Sequence, residues 1–248
     1  AHGVSRHASV KPASEVTPLG LLADADGRVL NLADFALPAR PAPASRPTVT
    51  AVLGTSMNAG KTTVVADLAL GMTRNGLRVG AAKVTGTGAG GDVWRMIDAG
   101  CKRVLDFTDA GYATTYKLPL RDCEAILETL IAELCATGVD TILIEVADGI
   151  LQPETRELAS SPVFQGLVDN VLFAAGDALS AANGVDWLER RGIDVVAVSG
   201  AVTASPLATR ELASLTPLPI LGRAVLKNGE WTPPGVETAG TAALRATA

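Results

Sequence analysis

The stretch that decides the fold is Thr48-Val-Thr-Ala-Val-Leu-Gly-Thr-Ser-Met-Asn-Ala-Gly-Lys-Thr-Thr63. It begins with a β-branched and apolar run, which is typical of a buried strand, and a helical pattern follows Gly60-Lys61 at once. A strand, a glycine-bounded turn and a helix in this order form the context in which a Gly-Lys-Thr sequence binds phosphate. The stretch therefore predicts a phosphate-binding loop of the Walker A type.

The chemistry of this loop follows from its residue types. Backbone N–H groups and a helix N-terminus attract phosphate, Lys61 neutralises the β- and γ-oxygens, and Thr62 is a Mg²⁺ ligand. The first glycine of G-x-x-x-x-G-K-[ST] falls on Thr55, with Gly54 one residue earlier; a glycine-rich turn with a chance Gly-Lys-Thr is the alternative. The predicted nucleotide-binding residues of the loop are Thr55, Ser56, Met57, Asn58, Ala59, Gly60, Lys61, Thr62 and Thr63.

The composition is that of a globular protein. The 248 residues are 48% hydrophobic and 19% charged, with a net charge of −5. An acidic chain without a basic stripe argues against nucleic-acid partners and against an anionic membrane surface. The sequence contains no uninterrupted run of 18 apolar residues, so it predicts no membrane-spanning helix. We therefore expect a cytoplasmic protein without nucleic-acid or membrane partners.

Cysteine and histidine provide no catalytic pair. Cys101, Cys123 and Cys135 are widely spaced and form no C-x-x-C motif, which indicates reduced thiols. A catalytic thiol needs a base, and the two histidines, His2 and His7, both lie in a polar N-terminal tail. We interpret the cysteines as buried or incidental.

Two parts of the chain are distinguished by pattern. In residues 1–47, two short apolar runs between Leu19 and Leu32 flank an Asp-Gly turn, which predicts a β-hairpin. The Pro-rich segment from Pro38 to Pro47 predicts a semi-rigid linker. The sequence thus predicts an N-terminal tail, hairpin arm and linker over 1–47 and a nucleotide-binding domain over 48–248.

From residue 48 onward, strand and helix patterns alternate. This alternation predicts a three-layer α/β fold of the P-loop type, a mostly parallel sheet with helices on both faces. Strands are predicted at 49–54, 77–83, 103–107, 141–146, 170–174 and 193–199, with a short one near Ile220. Helices are predicted at 62–75, 93–99, 121–137, 179–191 and 207–215.

The ends of the predicted strands carry candidate metal and phosphate ligands. Ligands of a parallel sheet bind outside the carboxyl ends of its strands. Glu145 ends an apolar run, the pattern of a carboxylate that holds Mg²⁺, although a capping or solvated role is the alternative. Lys83 ends another strand and could reach a phosphate or a carboxylate. Asp92 is either a second metal carboxylate or the N-cap of the next helix.

Two loops are rich in hydroxyl groups, glycine and acids. The loop 84–92 contains four glycines, which permit close approach of a ligand to the backbone, and the loop 106–116 contains acids and hydroxyls at high density. Turn-rich connections with no ligand are the alternative. The predicted substrate-binding residues are Thr85, Gly86, Thr87, Asp106, Thr108, Tyr112, Thr114 and Tyr116. At the end of a later strand, Ser199, Gly200 and Pro206 are predicted to hold the nucleotide base.

The phosphate loop resembles that of a known group. Leu53-Gly-Thr-Ser-Met-Asn-Ala-Gly-Lys-Thr62 is similar to the variant loop of dethiobiotin synthetase and the glutamine-dependent cobyric and cobyrinic acid synthases, in which Gly-Thr, four residues and Gly-Lys-[Ser/Thr] follow one another. The resemblance implies a homodimer in which Lys61 and Thr62 hold phosphates and metal. It also implies that Asp92 and Glu145 complete the Mg²⁺ shell and that Lys83 faces the transferred phosphoryl group.

The chain departs from that group in two places. Where that group has Lys-Pro, this chain has Lys83-Val84. Where the group has Glu-Gly-Ala-Gly-Gly, this chain has Glu145-Val-Ala-Asp-Gly149. We therefore expect a substrate other than diaminopelargonate, and the sequence shows no glutaminase domain for an amidotransferase.

The function expected from this resemblance is ATP- and Mg²⁺-dependent transfer of the γ-phosphoryl group to a small molecule. In the manner of the group, a carboxylate or carbamate would become an acyl phosphate, through positioning and charge neutralisation by Lys61 and Lys83. A small-molecule kinase with Asp109 or Asp148 as the base for a hydroxyl uses the same residues.

Two other classes are alternatives. A partitioning-type ATPase switch would have a lysine early in the loop, whereas residues 55–59 contain none. A GTP-dependent metallochaperone would show an Asn-Lys-x-Asp motif for guanine and a His/Cys metal site, and neither appears in the sequence. Lys227-Asn-Gly-Glu230 has similar residue types to the motif but in the wrong order.

Overall fold

The computed structural model describes residues 14–88 and 90–237. The predicted tail with His2 and His7 lies outside these residues, as does Ala89 of the loop 84–92. The six strands of the described residues are β1 (Thr48–Gly54), β2 (Val79–Lys83), β3 (Arg103–Asp106), β4 (Thr141–Glu145), β5 (Asn170–Ala174) and β6 (Val195–Ser199). They form one all-parallel sheet in the order β3-β2-β4-β1-β5-β6.

Helices follow the strands along the chain. The α-helices are α1 (Lys61–Arg74), α2 (Gly90–Asp98), α3 (Leu120–Ala136), α4 (Pro153–Ala159), α5 (Pro162–Leu167), α6 (Ala178–Glu189), α7 (Pro206–Ala213) and α8 (Arg223–Lys227). Short 3₁₀ helices span Leu32–Phe35 and Ala201–Ala204. Within the described residues, none of the helices has the length and apolar character needed to cross a membrane.

Alternating side chains of the central strands explain the three layers. In β1, Val52 packs with the cluster formed by α1, α2 and α8, whereas its neighbours Ala51 and Leu53 pack with the cluster formed by α3 to α7. In β4, Leu143 and Ile144 divide between the same two clusters. Successive strand residues point to opposite faces, so an apolar run of this kind requires helices on both sides. The predicted three-layer α/β fold is confirmed.

The strand register brings the polar strand ends together. Glu145 of β4 lies beside Val52 of β1 on one side and beside Lys83 of β2 on the other. Gly54, where the phosphate loop begins, lies beside Ala174 of β5. The loop, the predicted metal carboxylate and the second lysine therefore share one edge of the sheet.

The structure differs from the predicted elements mainly after β4. Helices α4, α5 and α8 were not predicted. The expected strand near Ile220 is a single parallel bridge to Val198. Pro219 explains its shortness, because proline has no N–H for the ladder and only its carbonyl oxygen bonds to the Val198 N–H, at 2.9 Å.

The predicted hairpin is present in minimal form. Ala23 and Val29 make one antiparallel bridge around a turn in which Gly27 has a φ of +81°. The arm also contacts the main body, because the Leu37 N–H donates to the Asp109 carbonyl at 2.7 Å and Arg46 pairs with Asp169 at 2.6 Å. The division into two units at residue 47 stays a prediction.

Candidate functional site

The phosphate loop, residues 54–63, connects β1 to α1 through a tight backbone path. The Thr55 N–H donates to the Ala174 carbonyl at 3.0 Å, and the Ala59 N–H donates to the Ser56 carbonyl at 3.3 Å. Gly60 has a φ of +101° at the N-cap of α1, a conformation that L side chains rarely adopt. The local sequence thus forms the strand, turn and helix that a phosphate-binding loop requires.

Backbone contacts hold this loop from three sides. A Cβ on Gly54 would lie 2.8 Å from the Ala174 carbonyl oxygen, and one on Gly149 would lie 2.3 Å from the Thr55 carbonyl oxygen. Gly200 lies equally close on the far side, where a Cβ would be 2.4 Å from the carbonyl oxygen of Ala59. These approaches leave no room for a side chain, so the shape of the loop depends on glycine at all three positions.

Lys61 is buried beneath the loop. Its Nζ donates to the Ser56 carbonyl at 2.9 Å, and 6% of the residue is exposed. Burial lowers the pKa of Lys61, and the nearby charges of Glu145 and Asp148 oppose that shift. The ammonium is thus fixed at the concave side of the loop, where phosphate oxygens would bind.

Glu145 and Thr62 form the second part of the site. The Thr62 Oγ1 donates to Glu145 Oε1 at 2.9 Å, whereas Oε2 is buried with no hydrogen-bond partner in the described residues. Burial raises the pKa of Glu145, and the charge of Lys83 opposes this shift. A buried carboxylate oxygen without a donor, next to a threonine hydroxyl, fits a hard cation that takes oxygen ligands. The pair therefore fits the predicted Mg²⁺ ligands.

Lys83 and Asp92 are joined in an ion pair in the same region. Lys83 is 8% exposed, and Asp92 lies in the first turn of α2. Because a buried ammonium is costly without a partner, Asp92 compensates the charge of Lys83 here. Asp92 thus has one observed partner, Lys83, while its predicted role toward a metal stays a prediction.

These groups face a cavity of about 590 Å³. It is lined by both loop residues and residues that follow β2 and β4. The predicted site residues that line it are Met57, Asn58, Gly60, Lys61, Thr62, Thr63, Lys83, Thr85, Gly86, Thr87, Asp92, Tyr116, Glu145 and Asp148. The structure therefore brings together most of the predicted phosphate-binding residues, the predicted metal ligands and part of the predicted substrate-binding residues.

Six further lining residues were not predicted: Arg95, Thr115, Ala147, Gln152, Glu154 and Thr155. Arg95 lies on α2, and its guanidinium donates to the Thr63 Oγ1 at 3.2 Å. Thr115 follows directly on Thr114 in a loop that was predicted to bind substrate. The others belong to the turn after β4 and to α4, for which the helix itself was not predicted.

The lining residues that belong to the loop after β2, to the loop before α3 and to the start of α4 are connected by hydrogen bonds, and we call them the acceptor wall: Thr85, Gly86, Thr87, Thr115, Tyr116, Gln152, Glu154 and Thr155. The Thr85 Oγ1 accepts from the Ala147 N–H and the Thr155 Oγ1 donates to the Ala147 carbonyl, both at 2.8 Å. The Thr115 Oγ1 accepts from the Gly86 N–H at 2.8 Å. Three separate segments are thereby tied into one surface.

Asp109 does not line this cavity. With Asp106 and Thr108 it lines a second cavity of about 500 Å³ beside Leu32 of the arm. Asp109 accepts the Asp106 N–H at 2.8 Å, and burial raises the pKa of Asp109. The prediction that Asp109 is the base at the phosphate site, and the placement of Asp106 and Thr108 with the substrate, do not match this position. The loop turns away there to meet the arm.

The remaining predicted residues have structural contacts. Tyr112 packs against the core, and the Thr114 Oγ1 donates to the Gly86 carbonyl at 3.2 Å. The Ser199 Oγ donates to the Leu221 carbonyl at 2.6 Å. Thr55, Ser56, Ala59, Ser199, Gly200 and Pro206 do not line the cavity. The role of the last three toward a nucleotide base stays a prediction.

The cysteines are free thiols, as the spacing indicated. Burial raises the pKa of Cys101 to about 12 and, with nearby acids, the pKa of Cys123 to about 11. A thiol that remains protonated is a poor nucleophile. These positions contribute to packing.

The all-parallel sheet and the phosphate loop define a P-loop NTPase fold. Residues 49–148, from β1 to the turn after β4, match the family model described as Molybdopterin guanine dinucleotide synthesis protein B (MobB). The match covers the phosphate loop, Lys83 and Glu145 but less than half of the chain. The comparison with curated protein sequences found no match.

One solved structure supports the same fold, and a second is similar over part of its length. The signal recognition particle 54 kDa protein from Aeropyrum pernix K1, in complex with GDP, is similar with a TM-score of 0.51 and 17% identity, over 87% of this chain and 49% of that one. The cell division protein FtsY from Thermotoga maritima has a TM-score of 0.47 and 19% identity, over 78% of this chain and 61% of that one. This chain thus spans about half to three fifths of those structures. The narrower resemblance to dethiobiotin synthetase stays a prediction.

Gly149→Ala tests the bracing of the loop. The new Cβ would clash with the backbone of Thr55, so we expect loss of stability by about 1–3 kcal/mol and weaker nucleotide binding. Gly176→Ala is the control, because nothing lies within 4 Å of its Cβ position. Urea denaturation and nucleotide titration measure both effects. Equal behaviour of the two variants would contradict the bracing role.

Proposed function

We propose that the protein binds a nucleoside triphosphate with Mg²⁺ and transfers its γ-phosphoryl group to a small polar molecule. The observation that carries the proposal is that the phosphate loop and the acceptor wall line one cavity. Phosphoryl transfer needs little covalent chemistry from the protein, because catalysis comes mostly from positioning and charge stabilisation. A cavity lined by both phosphate-binding groups and further hydrogen-bonding groups suits this task.

In the proposed transfer, each charged or metal-binding residue of the cavity has a separate role. Lys61 binds the β- and γ-phosphate oxygens, and Thr62 and Glu145 hold the metal directly or through water. Magnesium bound there supplies neutralisation of the charge on the phosphates. Lys83, held by Asp92, is proposed to stabilise the transferred group. Arg95, bonded to Thr63, adds a further positive charge near the start of α1.

We assign to Asp148 the role of taking a proton from a hydroxyl acceptor. It lines the cavity, its charge acts on Lys61, and it has a φ of +61° in the turn after β4. A carboxylate or carbamate acceptor needs no base, whereas a hydroxyl acceptor loses its proton to Asp148 as its oxygen bonds to the γ-phosphorus and the bond to the β-phosphate breaks. Ligase, synthetase and kinase chemistry therefore share this site.

The nucleotide proposed from the loop is ATP. The similar signal recognition particle protein was solved with GDP, which makes GTP the alternative. The segment from Lys227 to Glu230, which has the residue types of the guanine-binding Asn-Lys-x-Asp motif in the wrong order, does not line the cavity. It joins α8 to the C-terminal segment. Direct titration with the two nucleotides decides between them.

The family match gives a second source of proposals. Its description names molybdopterin guanine dinucleotide synthesis, which suggests a nucleotide-dependent role in making a cofactor. However, the match ends at Asp148, before Gln152, Glu154 and Thr155 of the acceptor wall. One part of the acceptor wall therefore lies outside the matched segment, whereas its other part, Thr85 to Thr87 with Thr115 and Tyr116, lies within it. Homodimerisation also stays a proposal.

A ligand screen tests the transfer itself. We expect a small polar molecule to raise the apparent melting temperature only when Mg²⁺ and a non-hydrolysable ATP analogue are present, because binding to the native state stabilises it. With ATP, phosphorus NMR would then show phosphate on that molecule. Nucleotide hydrolysis that no small molecule accelerates would contradict phosphoryl transfer and favour a switch.

Lys61→Ala tests the phosphate site. Loss of a charged hydrogen-bond donor costs about 1.5–3 kcal/mol, so the affinity for the triphosphate should fall roughly 10- to 100-fold. Isothermal titration with ATP and GTP analogues measures it. Lys102→Ala is the matched control, since its ammonium bonds to Thr137 away from the cavity. Unchanged affinity in Lys61→Ala would remove the phosphate-loop assignment.

Glu145→Gln tests the metal site. The amide oxygen can still accept from Thr62, so nucleotide binding without Mg²⁺ should persist, while the gain from added Mg²⁺ should disappear. We expect turnover to fall by about 10²–10³-fold. Asp98→Asn, an exposed carboxylate on α2, is the control. Full Mg²⁺ dependence in Glu145→Gln would exclude Glu145 as a metal ligand.

A further inference from the structure

Glu154 of the acceptor wall has an incomplete set of partners. Its Oε1 accepts the backbone N–H of Lys117, whereas its Oε2 is buried with no hydrogen-bond partner in the described residues. Such an oxygen is costly, because it has lost water without gaining a donor. Glu145 shows the same feature, but there the proposed metal accounts for it. Glu154 needs another explanation.

No neighbouring cation supplies one. The Lys117 ammonium lies 5.2 Å from the centroid of the Tyr116 ring, and only its backbone N–H reaches Glu154. Lys117 has a φ of +61°, so the chain adopts an uncommon conformation where that N–H is presented. Among the residues that the structure describes, Glu154 forms no ion pair within 4 Å.

The three cations that line the cavity have other partners. Lys61 bonds to the Ser56 carbonyl, Lys83 pairs with Asp92, and Arg95 bonds to Thr63. The hydroxyl nearest in sequence, that of Thr155, donates to the Ala147 carbonyl and is therefore committed. Glu154 thus lines the cavity and has a carboxylate oxygen for which the described residues supply no partner.

We propose that the acceptor molecule carries a protonated amine that binds Glu154 as a charge-assisted ion pair, an inference that rests on the proposed phosphoryl transfer. A carboxylate and an ammonium form a strong hydrogen bond where water is excluded. The protonated amine has no lone pair, so it is not the group that receives the phosphate. The substrate is therefore an amine with a second polar group, a carboxylate or a hydroxyl, that faces Lys61 and Asp148.

Three small two-carbon probes separate the possible chemistries: ethanolamine, ethylene glycol and glycolate. They are compared by thermal shift at matched ionic strength, with Mg²⁺ and a non-hydrolysable ATP analogue bound to the full chain. We expect ethanolamine alone to add to the melting temperature. Glu154→Gln, which keeps an oxygen for the Lys117 N–H, should weaken ethanolamine binding about tenfold or more. Glu157→Gln, an exposed acid on the same helix, should leave it unchanged.

The outcomes distinguish this inference from the proposed function. A shift from ethylene glycol or glycolate as large as that from ethanolamine, no shift from ethanolamine, or a full ethanolamine shift in Glu154→Gln would overturn the amine proposal. In each case the shift caused by the nucleotide analogue stands as a separate readout. If that nucleotide shift is absent from the unsubstituted protein, the proposed function fails instead. An equal nucleotide shift in Glu154→Gln shows that the cavity is intact.

Discussion

The close backbone packing around the phosphate loop is the constraint on which the site depends. Gly149 lies against Thr55, and Gly200 lies against Ala59, at distances that exclude a Cβ. Because the loop is held between the segments that follow β4 and β6, its N–H groups have a fixed direction before any phosphate arrives. Preorganised donors of this kind cost no reorganisation when charge develops on the ligand. The rigidity comes from the sheet and not from the loop sequence alone.

The same edge of the sheet concentrates buried charge. Lys61, Lys83 and Glu145 are each less than a tenth exposed, and each would be costly alone. Mutual compensation lowers that cost: Asp92 pairs with Lys83, and the charges of Glu145 and Asp148 oppose the lowering of the pKa of Lys61. In the proposed function, a metal ion and the phosphates that it binds would pair with these charges.

The sequence predicts the strand-end residues well and the later segments less well. Lys61, Lys83 and Glu145 could be found because a parallel sheet brings the carboxyl ends of its strands together. Glu154 could not be found in this way, because its position depends on how the chain folds back after β4. Pro153, in the first turn of α4, is a helix-start signal that could have revealed α4 itself. Asp109 was predicted at the phosphate site but lines the second cavity beside the arm. The loop 106–116 contacts the arm in its first half, and it lines the phosphate site only from Thr115 onward.

Gly149 links the two ends of the cavity. The turn that it allows presses the chain after β4 against Thr55, and the Ile150 N–H then bonds to the Gly54 carbonyl at 3.0 Å. That turn also fixes Asp148 at positive φ and sets the start of α4, which carries Glu154. This backbone contact therefore connects the phosphate loop to the chain that carries the α4 part of the acceptor wall. In the proposed phosphoryl transfer, such a connection would help to keep the separation of the two substrates constant.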